Sequence, residues 1–211
     1  MFLPSRKRSK SAKIKQILLF CFCAFNVFNL HAVAESKYSK VQLYIDLGKS
    51  QEAASMLRTL KVLDDPYYHY YLGRIASTNK QNQKSIQHFQ AAIKLNPNHA
   101  RSYAAMALVK GRMGKFQDAL NDLDKAISID PGYAKAYSNR GVTRGALQQN
   151  NAAIADFSQA IRLDPRLADA YRNRGITREM IGDLRGACSD WNIASALGQE
   201  GPKQWTSTQC Q

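Results

Sequence analysis

Four groups of residues in this sequence could do chemistry by type and spacing. Arg140 and Arg144 stand four apart, as do Arg174 and Arg178, which sets each pair on one face of a helix. Asp122, Asp156 and Asp190 recur at 34-residue intervals, and Asn139 and Asn173 share that interval. His69 and His88 form the only histidine pairing with a metal-site flavour, yet no third ligand accompanies them, and a metal would want one. Four cysteines occur, Cys21, Cys23, Cys188 and Cys210, too few for a disulfide-dense scaffold. There is no His-Glu-x-x-His pair, glycine-rich phosphate loop or nucleophile elbow, so nothing marks an enzyme, and no metal or cofactor is expected. Recurring polar residues without a catalytic set point instead to a repeated scaffold.

The elements that would carry those residues follow from the prolines. Pro97, Pro131 and Pro165 are 34 apart and close the same phrase: Leu95-Asn96-Pro97, Ile129-Asp130-Pro131 and Leu163-Asp164-Pro165. With proline at position 32 the units are 66–99, 100–133, 134–167 and 168–201. Position 4 is then His69, Tyr103, Tyr137 and Tyr171; position 8 is Gly73, Ala107, Gly141 and Gly175. Position 20 is Ser85, Ala119, Ala153 and Ala187; position 24 is Phe89, Leu123, Phe157 and Trp191; position 27 is always Ala. Small residues at 8, 20 and 27 let two helices approach, and large ones at 4 and 24 fill the space beside them. Apolar residues recur at helical spacing in both halves of each unit, around a polar or Gly turn such as Met113-Gly114-Lys115. Proline stops the second helix, because the residue before it is pushed out of the helical region. Each unit is an antiparallel helix pair that buries its apolar face only by stacking on neighbours.

These columns resemble the tetratricopeptide repeat (TPR) family over residues 66–201, and Asn139-Arg140-Gly141 and Asn173-Arg174-Gly175 look like a bacterial variant of its motif. Three positions depart from it: Ala107 stands for Gly, Gln199 for Pro, and Arg140 and Arg174 for the usual Leu. The resemblance implies an all-α, right-handed solenoid of helix pairs without catalytic activity. Residues 35–65, with Leu47-Gly48-Lys49 and Ala53, read as a divergent helix pair, and 202–211, with Trp205 in the large-residue column, as a short C-terminal capping helix.

In this family, positions 2, 5, 6, 9 and 12 line an inner groove. Here they include Tyr67, Tyr70, Tyr71, Arg74, Arg101, Lys135, Ser138, Asn139, Arg172 and Asn173, with Asp169 and Glu179 the acids among them. The resemblance implies that Asn139 and Asn173 hold the backbone of an extended peptide, each amide supplying donor and acceptor; solvated polar surface is the plainer alternative. Basic neighbours would favour an acidic partner. The family's chaperone-tail clamp is not matched: its positions read Tyr70, Arg74, Ala105, Lys135 and Asn139 in one register, and Ala104, Leu108, Asn139, Asp169 and Asn173 in the next. The preferred reading of Arg140, Arg144, Arg174 and Arg178 is an interhelical ladder with the position-23 aspartates, since Arg forks suit partly buried carboxylates; capture of acidic partners is the other. Helical spacing sends Tyr67, Tyr68, Tyr70 and Tyr71 around more than one face, some to the core and some outward.

Charge and targeting complete the reading. The 211 residues carry 30 Lys and Arg against 16 Asp and Glu, a net +14. Six of the cations fall between Arg6 and Lys15, before any acid; an apolar run, Ile17 to Leu30, and Ala32-Val33-Ala34 follow. This order is that of a secretory signal peptide over 1–34, cleaved after Ala34. The alternative is an uncleaved membrane anchor, for which the run is short and interrupted by Asn26 and Asn29. Cleavage leaves 177 residues with a net +8 and two cysteines, Cys188 and Cys210. Their pairing is one expectation and two free thiols the other; pairing is favoured because in this family the helix bearing Cys188 meets the one that would bear Cys210. The chain is expected to be exported to a periplasm, lumen or medium, touching membrane only through an uncleaved N-terminus. Its partner is expected to be another protein or peptide. An assembly role for an envelope or photosynthetic membrane complex is the second reading. Polyanion binding ranks lower, and no nucleic acid is expected, since no recognised module for it is present.

Overall fold

The computed structural model describes residues 37–60, 62–199 and 210. The expected signal segment, Trp205 and most of the expected cap therefore lie outside the described residues. The chain divides into two compact units at Thr59 and Leu60.

The first unit carries α1, residues 37–46, and all but the last residue of α2, Ser50–Leu60. α1 buries Tyr38, Val41 and Ile45, and α2 buries Ala53 and Leu57, in each case at the spacing of one helix face. Gly48, at φ +72, makes the turn between them.

The second unit is four helix hairpins: α3 (Pro66–Thr78) with α4 (Asn82–Leu95), α5 (Ala100–Arg112) with α6 (Phe116–Ile129), α7 (Ala134–Ala146) with α8 (Asn150–Leu163), and α9 (Ala168–Met180) with α10 (Leu184–Ala196). The described residues contain no strand. Each hairpin packs tightly within itself, and the second helix of each lies against the first helix of the next. The first helices α3, α5, α7 and α9 also touch one another side by side, whereas the second helices make no comparable contact among themselves. The first helices therefore form one continuous face.

The small and large columns meet inside every hairpin. A Cβ added to Gly73 would lie 2.6 Å from Phe89 Cε1, and one on Gly141 2.7 Å from Phe157 Cε1. One on Gly175 would collide with the Trp191 indole. The departure at Ala107 has its reason here: the facing residue is Leu123, and both are buried in one cluster with Ala104, Ala119, Ala126 and Ala136. A smaller partner at position 24 leaves room for a methyl at position 8, so the two columns are one choice made twice.

The turns are equally regular. Position 15 takes the left-handed conformation in all four hairpins, at Lys80 (φ 57), Gly114 (φ 75), Gln148 (φ 59) and Gly182 (φ 87). Between hairpins, the Asn96 and Asp130 Oδ1 atoms accept from the backbone N–H of Asn98 (2.9 Å) and Gly132 (3.0 Å), and Asp164 Oδ1 from that of Arg166 (3.1 Å). These Asx turns around each proline fix how one hairpin hands over to the next. At the far end Cys188 is bonded to Cys210, with Cα atoms 5.6 Å apart.

Candidate functional site

The burial pattern along the first helices defines their open face. On α5, α7 and α9 it falls at positions 2, 6, 9 and 13, spaced 4, 3 and 4 as one helix face requires. Across the sheet of helices these make four rows. Position 2 gives Arg101, Lys135 and Asp169; position 6 gives Ala105, Asn139 and Asn173; position 9 gives Leu108, Val142 and Ile176; position 13 gives Arg112, Ala146 and Met180. All are exposed or half-exposed, and Leu108 and Val142 keep 46% and 48% of their surface open.

Of the residues expected in the groove, Arg74, Arg101, Lys135, Asn139, Arg172 and Asn173 keep solvent access. Arg74 and Arg101 both act on the Tyr133 phenol, whose pKa burial and Tyr70 push upward against their pull. The Asn139 amide makes no hydrogen bond among the described residues, and Asn173 Oδ1 accepts one from Arg172 at 3.4 Å.

Tyr67, Tyr70 and Ser138 do not belong to the open face: all three are buried. Position 5 is buried in three of four hairpins, at Tyr70, Ala104 and Ser138. Nor does the tyrosine cluster divide between core and surface; Tyr67, Tyr68, Tyr70 and Tyr71 are all buried. His99 explains part of this, since Tyr67 and Tyr70 set ring edges against its imidazole with centroids 4.7 and 5.4 Å away. Leu108, Val142 and Ile176 fall at position 9, one of the expected groove positions, but only Arg74 of that row was named as a site residue.

The arginines form the ladder. Arg140 grips Asp156 with a fork, Nε to Oδ2 at 3.0 Å and Nη2 to Oδ1 at 2.7 Å, and Arg144 adds a bond at 2.8 Å. One hairpin on, Arg174 repeats the fork on Asp190 at 2.9 and 2.6 Å, with Arg178 at 2.9 Å. The third corner of each fork reaches back to the preceding hairpin, Arg140 to Asp124 at 2.7 Å and Arg174 to Ser158 Oγ at 3.0 Å. Burial alone would lower the Arg140 pKa, but the bonds to Asp156 and Asp124 outweigh it and raise it. In α5 and α6 the ladder shrinks to Lys110 and Asp122 at 2.6 Å, and burial raises the Asp122 pKa despite that partner. These cations are held by carboxylates; Arg74, Arg101, Lys135 and Arg172 lie on the first helices and keep solvent access. His69 and His88 lie with ring centroids 6.1 Å apart, and among the described residues no group of three or more His, Cys, Asp or Glu is placed to hold a metal ion.

Residues 112–148 and 145–182 match the family model described as TPR repeat, and residues 66–99 the model described as Tetratricopeptide repeat. The TPR domain of OM64 from Arabidopsis is 31% identical, with a TM-score of 0.54 over 56% of this chain and 98% of that one. The chain belongs to the tetratricopeptide-repeat family. A thermophilic TPR protein of Thermus thermophilus, TTC0263, shares the fold, with a TM-score of 0.68 at 20% identity over 81% of this chain and 94% of that one. A UDP-N-acetylglucosamine–peptide N-acetylglucosaminyltransferase of Giardia intestinalis is 28% identical over 103 residues, 48% of this chain. The chain spans 7% of that enzyme's length. The TPR fold suggests a protein–protein interaction scaffold, and TPR proteins are generally non-catalytic.

Proposed function

We propose that this TPR protein is a non-enzymatic adaptor which holds an extended segment of a partner protein across the open face of α5, α7 and α9. One observation carries the reading: on α7 Val142 is exposed one turn from Asn139, whose amide has no hydrogen-bond partner among the described residues, and Leu108 is exposed at the corresponding position of α5. A soluble surface has no need of an aliphatic row bordered by amides, whereas a peptide uses both, its side chains against the row and its backbone on the amides. Arg101, Lys135 and Arg172 favour acidic residues in that segment. Replacing Asn139 and Asn173 together by Ala removes hydrogen bonds that each contribute about 0.5–1.5 kcal/mol. Affinity for the natural partner, captured from the host and measured by calorimetry, should fall roughly tenfold or more. Unchanged affinity with the helical circular dichroism intact moves the site off this face.

The adaptor, in this proposal, works outside the reducing cytosol. The tripartite N-terminus supports export, and so does the Cys188–Cys210 bond, since such bonds persist in oxidising compartments. Assembly of an envelope or photosynthetic complex is one setting such an adaptor suits. Protein isolated from its host should have a mass beginning at Glu35, less two hydrogens. A mass retaining Met1 to Ala34 would instead favour the membrane-anchored form.

A further inference from the structure

The first hairpin departs from the other three at two positions that stand near each other. Position 23, the ladder carboxylate at Asp122, Asp156 and Asp190, is His88 here, and position 4, tyrosine in the other three, is His69. The cations are lost with the carboxylate: positions 7 and 11, Arg140 and Arg144 in the third hairpin, are Leu72 and Ala76. A charged pair across the two helices is thus replaced by two imidazoles, with ring centroids 6.1 Å apart.

Hydrogen bonding gives the two rings open lone pairs. His69 Nε2 lies 2.9 Å from the Leu63 carbonyl, and a carbonyl only accepts, so Nε2 carries the proton. Nδ1 of the neutral ring then has a free lone pair, and it is buried without a hydrogen-bond partner. His88, half-buried, makes no hydrogen bond among the described residues. A histidine with one nitrogen donating to a backbone carbonyl and the other left bare is the arrangement of a metal ligand, where the carbonyl fixes tautomer and ring direction.

Distance and charge select the metal. A ring nitrogen sits about 1 Å from its ring centre, so a metal about 2 Å from that nitrogen is about 3 Å from the centroid. Two such rings have centroids about 5 Å apart at a tetrahedral angle, and about 6 Å apart when they oppose each other across the metal. The observed separation is that of opposed rings. Zinc takes four ligands in a tetrahedron, and among the described residues no third His, Cys, Asp or Glu joins the pair. The charged groups that act on His88 are His69 and Lys84, and Lys84 repels a divalent ion twice as strongly as a univalent one. Closed-shell univalent copper is satisfied by two imidazoles in line, and imidazole suits copper.

We infer that His69 Nδ1 and His88 form a two-coordinate site for univalent copper, which clamps α3 to α4 where the charged ladder is missing. The site lies within the first hairpin and is independent of the inner-face reading above.

The test uses untagged protein from its host, labelled with heavy nitrogen, its free thiols alkylated and the Cys188–Cys210 bond intact. Silver(I) serves as the air-stable stand-in for univalent copper. In proton–nitrogen correlation spectra of the histidine rings, an equimolar amount should shift Nδ1 of His69 and a ring nitrogen of His88 and leave His99 in place. Univalent copper, titrated without air against a chromophoric chelator, should bind with the same stoichiometry. His69→Gln and His88→Gln should each weaken it about a hundredfold or more, since loss of an outer-shell partner alone costs up to that much. The ring shifts are read on the unaltered protein, so they hold even where a variant folds poorly. No shift at equimolar silver, a shift of His69 at Nε2 instead of Nδ1, or unchanged copper affinity in both variants with the fold intact overturns the site. Zinc shifting the same two rings as readily overturns the two-coordinate geometry and with it the assignment to univalent copper.

Discussion

A single methyl group separates the two ways in which these hairpins are packed. Gly141→Ala would set a Cβ 2.7 Å from Phe157 Cε1. Overpacking of this kind costs about 1–3 kcal/mol, and the better helix preference of Ala returns up to about 1 kcal/mol. Urea unfolding should therefore show a net loss of about 1 kcal/mol. Because Ala107 sits comfortably opposite Leu123, adding Phe157→Leu should recover stability, so that the double variant is more stable than the sum of the singles by roughly 0.5 kcal/mol or more. Additive losses would show that the two columns are not coupled. His88 gives the pH dependence at this scale. Burial, then His69 and Lys84, lower its pKa below the ordinary 6.5. The folded protein then binds fewer protons here than the unfolded chain, so stability is held above that value and lost as pH falls through it. Thermal melts from about pH 7.5 to 5.5, spanning the ordinary histidine range, should show wild type losing ground to His88→Gln; parallel curves would refute it.

The helix pair is the element that repeats, and its weak points are the turns. Lys80 and Gln148 occupy the left-handed position that Gly114 and Gly182 fill in the other two hairpins. That conformation costs a residue with a Cβ about 1–2 kcal/mol, and glycine little. Gln148→Gly should raise stability by about 1 kcal/mol in thermal or urea unfolding, and Gly114→Ala should lower it by a similar amount; no gain from Gln148→Gly would show the turn to be unstrained. At this scale the sequence was most legible. Proline spacing located the ends of α4, α6 and α8, and the Gly and Ala columns located the close approaches. The groove was less legible, because the columns say which face of a helix is turned inward but not how far a neighbour covers it. Tyr70 and Ser138 sit one residue from the exposed row, yet both are buried. Leu108, Val142 and Ile176 fall at position 9, one of the expected groove positions, but their exposure is seen only in the structure.

Along the stack of four hairpins, cohesion is not uniform. The first hairpin has no charged pair at the ladder positions, the second has Lys110 with Asp122, and the last two have double arginine forks that also reach back one hairpin. A linear stack shares stability mainly between nearest neighbours. Asp156→Ala removes the carboxylate that Arg140 and Arg144 share; removing one partner of a buried pair typically costs about 3–5 kcal/mol. Hydrogen exchange should speed most in α7 and α8, next in α6 and α9, and least in α3 and α4. Uniform acceleration would mean that the four hairpins unfold as one body.

The pairing of position 8 with position 24 also dictates where such a chain can be cut and rejoined. A crossover at a tip, between the two helices of a hairpin, could set Gly opposite Leu or Ala opposite an aromatic ring; the first leaves a void and the second a collision. A crossover at the Asx-Pro loops, around Asn96, Asp130 or Asp164, moves both partners together. Recombination, whether in a genome or on a bench, can therefore lengthen, shorten or reorder this protein only in whole hairpins. Chimeras joined at Pro131 should express as soluble protein where those joined at Gly114 do not.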